Sequence, residues 1–296
     1  MRLRSLLFVP GDSERKFAKG RGCGADALIL DLEDSVAPAQ KPGARRIVGG
    51  LLDDQSPRQW SFVVRVNALD TGLMLEDLSA VVKPGLDAIL IPKASGAADV
   101  LQVGHYLDAL EAARGIAAGA VKLIALATET PQAMFGLASY APAHPRLAAL
   151  TWGAEDLSAA LGATANREGD GAWAFPYEVA RAQCLFAASA AGVAPIDTIH
   201  ADFRDSEGLE RDCRRSRRDG FLGRMAIHPD QVAVINGCFT PSEAEIAHAR
   251  RIVAAFAANP GAGALGIEGK MVDVPHLKAA QKVLASAAAP ARGKEG

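Results

Sequence analysis

Eight short, near-continuous apolar runs recur along the chain, each followed by a polar stretch and then by a longer segment with helical spacing. They cover residues 5–9, 27–30, 62–66, 88–91, 122–127, 148–151, 196–199 and 224–227. A run that is apolar throughout suits a strand covered on both faces, and the intervening segments are long enough for crossover helices, so parallel strands are expected. Eight such units predict an α/β protein with a (β/α)8 TIM barrel. A doubly wound open sheet would use the same local signals, but no Gly-x-Gly-x-x-Gly follows the first run, and the barrel is the preferred reading.

After the eighth run the pattern changes. Thr240-Pro241-Ser242-Glu243 reads as a helix start, with Thr240 or Ser242 as the N-cap, and the Ala-rich helix runs to about Asn259-Pro260. A Gly-rich stretch over 261–266 leads into Lys270-Met271-Val272-Asp273-Val274-Pro275-His276 and a second Ala-rich helix. Residues 1–238 are thus read as the barrel domain and 239–296 as a C-terminal helical extension, its last residues from about Ala289 expected to fray.

Composition excludes several classes. With 49% apolar and 22% charged residues the chain can bury a large core, which excludes wholesale disorder. Thirty-two basic against 34 acidic residues give a net charge of -2, too balanced to hold a nucleic acid through many phosphate contacts. No run approaches the roughly 18 apolar residues of a membrane span. The opening residues have the basic-then-apolar order of an export signal, yet Pro10-Gly11-Asp12 stops the run, and a first strand is the better reading. The four cysteines form no Cys-x-x-Cys pair, which argues against a disulfide frame or zinc site and for a reducing cytoplasm.

Barrel enzymes build their sites at the C-terminal ends of strands, so the polar residues ending each run are the candidates. They are Asp31-Leu32-Glu33-Asp34-Ser35, Arg65-Val66-Asn67, Pro92-Lys93, Thr128-Glu129-Thr130, Gly153-Ala154-Glu155-Asp156, Asp197 with Asp202, and His228-Pro229. Glu129 and Asp156 lie one βα repeat apart and face the same mouth. Two carboxylates with few other protein donors suit Mg2+, which completes its shell with water and substrate oxygens. Each acid alone could instead be a first-turn residue favoured by a helix dipole; acids at several successive strand ends weigh against that. Arg65 can hold a carboxylate, stabilise an oxyanion or neutralise the acidic mouth. Lys16 and Lys19, on the first helix, either meet a phosphorylated cofactor tail or form a solvated face. His228 is placed behind the site.

Together with Arg4-Ser5-Leu6-Leu7-Phe8-Val9-Pro10-Gly11 and Gly223-Arg224-Met225-Ala226-Ile227-His228-Pro229, these motifs occur in the order found in one family. Over nearly its whole length the sequence resembles the citrate lyase β-subunit-like (HpcH/HpaI aldolase) group, which includes citramalyl-CoA and malyl-CoA lyases. The resemblance implies a TIM barrel with Mg2+ on Glu129 and Asp156, Arg65 on the substrate, and Lys16 and Lys19 near the CoA phosphates. It implies that Gly269-Lys270-Met271-Val272-Asp273-Val274-Pro275 lies over a neighbouring subunit's site in a homo-oligomer, with a trimer favoured, where Asp273 acts as acid/base. Without it, Asp273 reads as an N-cap before a Pro-initiated helix. The implied reaction is reversible cleavage of a 3-hydroxyacyl-CoA, citramalyl-CoA or malyl-CoA, to acetyl-CoA and a 2-oxoacid. Glu33 and Asp34 are then expected to order Arg65 and nearby water from behind, and Asn67 to donate a positioning hydrogen bond to the substrate. The competing readings are a citrate lyase β subunit acting on a carrier-bound citryl thioester and a pyruvate-type aldolase without CoA.

Overall fold

The structure, a computed structural model, describes residues 1–288. Its first half runs β1 (Ser5–Pro10), α1 (Glu14–Arg21), β2 (Ala27–Asp31), α2 (Lys41–Leu51), β3 (Ser61–Arg65), α3 (Met74–Val81), β4 (Ala88–Ile91) and α4 (Ala97–Ala113). The barrel continues through β5 (Lys122–Leu126), α5 (Pro131–Gly136), β6 (Leu147–Thr151), α6 (Ala154–Leu161), α7 (Phe175–Ala191), β7 (Ala194–Asp197), α8 (Ser206–Asp219), β8 (Gly223–Ala226) and α9 (Pro229–Phe239). The eight strands close in sequence order, and β8 pairs with β1. All pairings are parallel, which confirms the TIM barrel expected from the eight apolar runs.

The strand composition follows from the two cores. Leu6, Ile29, Val63, Leu90, Ile124, Ile196 and Met225 point into the barrel. Their neighbours Leu7, Leu28, Val64, Ile89, Leu123 and Leu150 pack outward against the helices. Both faces are buried, so the usual polar alternation is absent. β7 begins at Ala194, two residues before the expected start, because Pro195 argues against a strand interior when only the sequence is read.

Beyond α9 come α10 (Glu243–Ala258), β9 (Ala264–Ile267), β10 (Lys270–Asp273) and α11 (Val274–Ala288). Ser242 is the N-cap of α10 and forms a reciprocal capping box with Glu245. The extension is not purely helical: β9 and β10 form an antiparallel hairpin around Glu268 and Gly269, both at positive φ. It has its own small core of Ile252, Phe256, Val272 and Ala280. The expected fraying from Ala289 onward lies outside the described residues. Among those described, no helix is long and apolar enough to cross a membrane.

Candidate active site

The inward alternation that places Ile29 and Val63 in the barrel also aims Asp31 and Arg65 into its C-terminal mouth, and the register sets them side by side. The Arg65 guanidinium donates from Nε to Asp31 Oδ1 at 2.7 Å and from Nη2 to Asp31 Oδ2 at 2.8 Å. Its Nη1 lies 2.9 Å from Glu33 Oε2 and 3.4 Å from Asp34 Oδ2, and the Phe8 ring lies beneath it. Burial opposes the charge on Arg65, but these acids outweigh it and raise its pKa. Burial likewise opposes ionisation of Asp31, and the Arg65 pairing overcomes it and lowers that pKa. Asp31, rather than Glu33 or Asp34, is therefore the principal residue orienting Arg65. Glu33 takes a secondary part, while the Asp34 side chain is 54% exposed.

Glu129 follows β5 and is buried. The backbone N–H of Lys93 donates to its Oε2 at 2.6 Å. Burial, reinforced by the charges of Asp156 and Glu33, pushes the Glu129 carboxyl up to about 8 despite that hydrogen bond. Gly153, just after β6, lets Glu129 pack this closely: a Cβ there would stand 2.8 Å from Glu129 Cγ. Asp156, in the first turn of α6, completes an acidic pair in which a dication would supply the missing charge. Two carboxylates converging on one cavity suit Mg2+, which needs few protein ligands. No cage of three or more His, Cys, Asp or Glu exists among the described residues.

Glu129 and Asp156 open onto a cavity of about 420 Å3 shared with Asp31, Asp34, Ser35 and Arg65. Phe8, Leu126, Met225 and Ile227 add apolar surface to its lining. Asn67 is placed differently from the expectation. It is buried, its Nδ2 donates to Leu32 O at 3.0 Å and Asp77 Oδ2 at 2.7 Å, and its Oδ1 accepts from Lys41 Nζ at 2.7 Å. Its donors are spent on the protein, where they fix the β2 loop instead of reaching a ligand. Lys16 and Lys19 are exposed on α1 and do not line the cavity.

Asp197 turns outward and is fully buried, accepting from Trp152 Nε1 at 2.6 Å and pairing with Arg181 and Arg224. Thr198 faces the cavity in its place. His228 caps α9 and stacks on Phe203. Asp273 lies outside its own chain's cavity. Its Oδ1 accepts from the His276 backbone N–H at 3.4 Å and is bonded to the His276 ring, a capping arrangement. Sequence reading placed Lys93 among the strand-end candidates but gave it no role; its ammonium lies 2.6 Å from Glu33 and 3.3 Å from Asp156. Its place beside Pro92 at a strand end was the available signal.

The HpcH/HpaI aldolase/citrate lyase profile matches residues 4–229, which span all eight barrel strands and every one of these mouth residues. The chain belongs to the HpcH/HpaI aldolase/citrate lyase family. A profile described as a carbon-carbon bond lyase of the TIM-barrel fold matches residues 177–290. Among curated members, the (3S)-malyl-CoA thioesterase of Cereibacter sphaeroides is 39% identical over 97% of this chain and 95% of its own. The citrate lyase β subunit of Escherichia coli is 36% identical over 96% and 93%. Among solved structures, CitE of Mycobacterium tuberculosis in complex with magnesium, acetoacetate and coenzyme A superposes with a TM-score of 0.76. It is 36% identical and covers 97% of this chain and 98% of its own.

Proposed function

We propose that this member of the family is a magnesium-dependent lyase that cleaves a 3-hydroxyacyl-CoA of the malyl-CoA or citramalyl-CoA type, reversibly, to acetyl-CoA and a 2-oxoacid. The observation that carries the reading is the convergence of Glu129, Asp156 and a clamped Arg65 on one cavity. Cleavage requires the substrate hydroxyl to lose its proton while the departing electron pair is accommodated as a thioester enolate. Magnesium held by Glu129 and Asp156 would supply Lewis acidity to the substrate hydroxyl and its neighbouring carboxylate.

Arg65 is fixed in place by Asp31, so its remaining N–H groups meet the growing oxyanion without reorganising. Phe8, Leu126, Met225 and Ile227 line the same cavity, and their apolar surface lowers the local polarity and would strengthen that interaction. Asp273, half-buried and outside its own chain's cavity, would deliver the proton to the enolate carbon of the substrate in a neighbouring subunit of a homo-oligomer, with a trimer favoured. Lys16 and Lys19 would contact the CoA phosphates. The four cysteines are free thiols, in keeping with the cytoplasm.

Incubation with racemic malyl-CoA and citramalyl-CoA, with Mg2+ or EDTA, tests this directly. A 2-oxoacid trapped by phenylhydrazine, without free thiol, and abolished by EDTA is the expected result. The thioesterase name of the Cereibacter relatives favours a second reading, hydrolysis of the thioester. Free thiol without 2-oxoacid would establish it. Release from neither substrate would point to a carrier-bound thioester, the situation suggested by the citrate lyase β subunits.

A further inference from the structure

Lys93 lies two residues beyond the end of β4 with φ at +50°, a conformation that costs a residue with a side chain some strain. Its main chain and its side chain each make contacts at the mouth. The backbone N–H lies 2.6 Å from Glu129 Oε2, and the side chain crosses the mouth to Glu33 Oε1 at 2.6 Å, Asp156 Oδ1 at 3.3 Å and Asp34 Oδ1 at 3.8 Å. One strained residue therefore holds Glu129 through its main chain and Asp156 through its side chain.

The balance of charge around it is uneven. Glu33, Asp34, Glu129 and Asp156 are four acids at one mouth, and Arg65 is committed to Asp31, Glu33 and Asp34. Among the described residues, Lys93 is the cation paired with Asp156.

We propose that Lys93 is the built-in counter-cation of the metal-ligand pair, neutralising Asp156 when no metal is held and yielding it when a divalent cation binds. The proposal rests on the reading of Glu129 and Asp156 as that pair. A dication on Asp156 repels an ammonium placed 3.3 Å from the same carboxylate. The ammonium keeps its closer partner Glu33 and has a flexible four-carbon stem, so it can leave Asp156 without becoming an unpaired charge. Lys93 does not line the cavity and acts through the acids it touches, as a positioning residue.

The test measures Mn2+ binding by electron paramagnetic resonance for the wild type, Lys93→Met, Lys93→Arg and Asp156→Ala, alongside melting in EDTA and in saturating Mg2+. Lys93→Met should bind Mn2+ about tenfold more tightly, having lost a repelling charge, and Lys93→Arg within about twofold of the wild type. In EDTA, Lys93→Met should melt below the wild type, and Mg2+ should close the gap by replacing the missing cation. Mn2+ affinity unchanged or weakened in Lys93→Met, or a melting deficit that Mg2+ does not repair, would overturn the proposal. A Lys93→Met chain unfolded with and without Mg2+ would overturn it equally. A wild type that binds no Mn2+, or Asp156→Ala that binds it as well as the wild type, would remove the metal-pair reading and the Lys93 role together. Wild-type binding with an unchanged Lys93→Met constant would remove the Lys93 role alone.

Discussion

Arg65 shows how much one side chain depends on its neighbour. A guanidinium can bridge both oxygens of Asp31 and still present donors to a substrate, whereas an ammonium is a point charge that cannot hold that orientation. Arg65→Lys should fold, bind substrate with a similar KM, and lose about 10²- to 10³-fold in kcat, as expected for a misplaced oxyanion donor. A kcat within tenfold of the wild type in steady-state assays would reduce Arg65 to a counter-ion of the mouth. Asp156→Ala should lose all Mg2+-dependent turnover, and EDTA should then have no further effect. Gly153→Ala would drive a methyl into Glu129 and should weaken Mg2+ binding by about tenfold in calorimetric titration without unfolding the barrel. The residue types of the site were legible because a barrel brings strand ends to one mouth. The pairing of Asp31 with Arg65 was not, since it depends on the register of β2 against β3. Nor was the outward turn of Asp197, which follows from its place one residue after the inward Ile196.

At the scale of elements, α8 is tied to the sheet by charge. Asp212 accepts from His200 Nδ1 at 3.0 Å and lies close to Arg224 and Arg167. Burial alone would raise its pKa, but these partners outweigh it and hold Asp212 at about 2. A carboxyl depressed on folding adds stability above its unfolded pKa near 3.8, and that stability is lost as the pH falls through about 2. Asp212→Asn should therefore be less stable than the wild type by about 1 kcal/mol at neutral pH, allowing for partial solvent screening. Denaturation curves should converge as the pH approaches 2; a constant gap across the acid range would show that packing, not charge, is responsible. The elements themselves were unequally readable. Parallel strands buried on both faces announce themselves as apolar runs, but β9 and β10 are short, largely exposed and rich in small or polar residues. Their turn uses Glu268-Gly269 at positive φ, where Asn-Gly or Asp-Gly would have been the recognisable signal.

The whole molecule poses a question of reach. Asp273 stands on an exposed hairpin end beside Met271, which is 73% exposed, and the extension packs around its own small core. An acid in this position can serve catalysis if another copy of the chain brings its cavity to it, which makes the active site a property of the assembly. Asp273→Asn and Asp156→Ala should then each be inactive alone yet complement one another. In a mixed assembly, an Asp273→Asn chain supplies an intact cavity while its Asp156→Ala neighbour supplies the missing Asp273. With random pairing at equal expression, about one quarter of the sites receive both intact groups, so co-expression should restore about one quarter of wild-type turnover. Restoration should require co-assembly: the two variants purified separately and mixed without subunit exchange should stay inactive. If co-expressed assemblies containing both chains show no turnover, Asp273 does not act across a subunit boundary, and the hydrogen bonds to His276 that make it a cap of α11 describe its role.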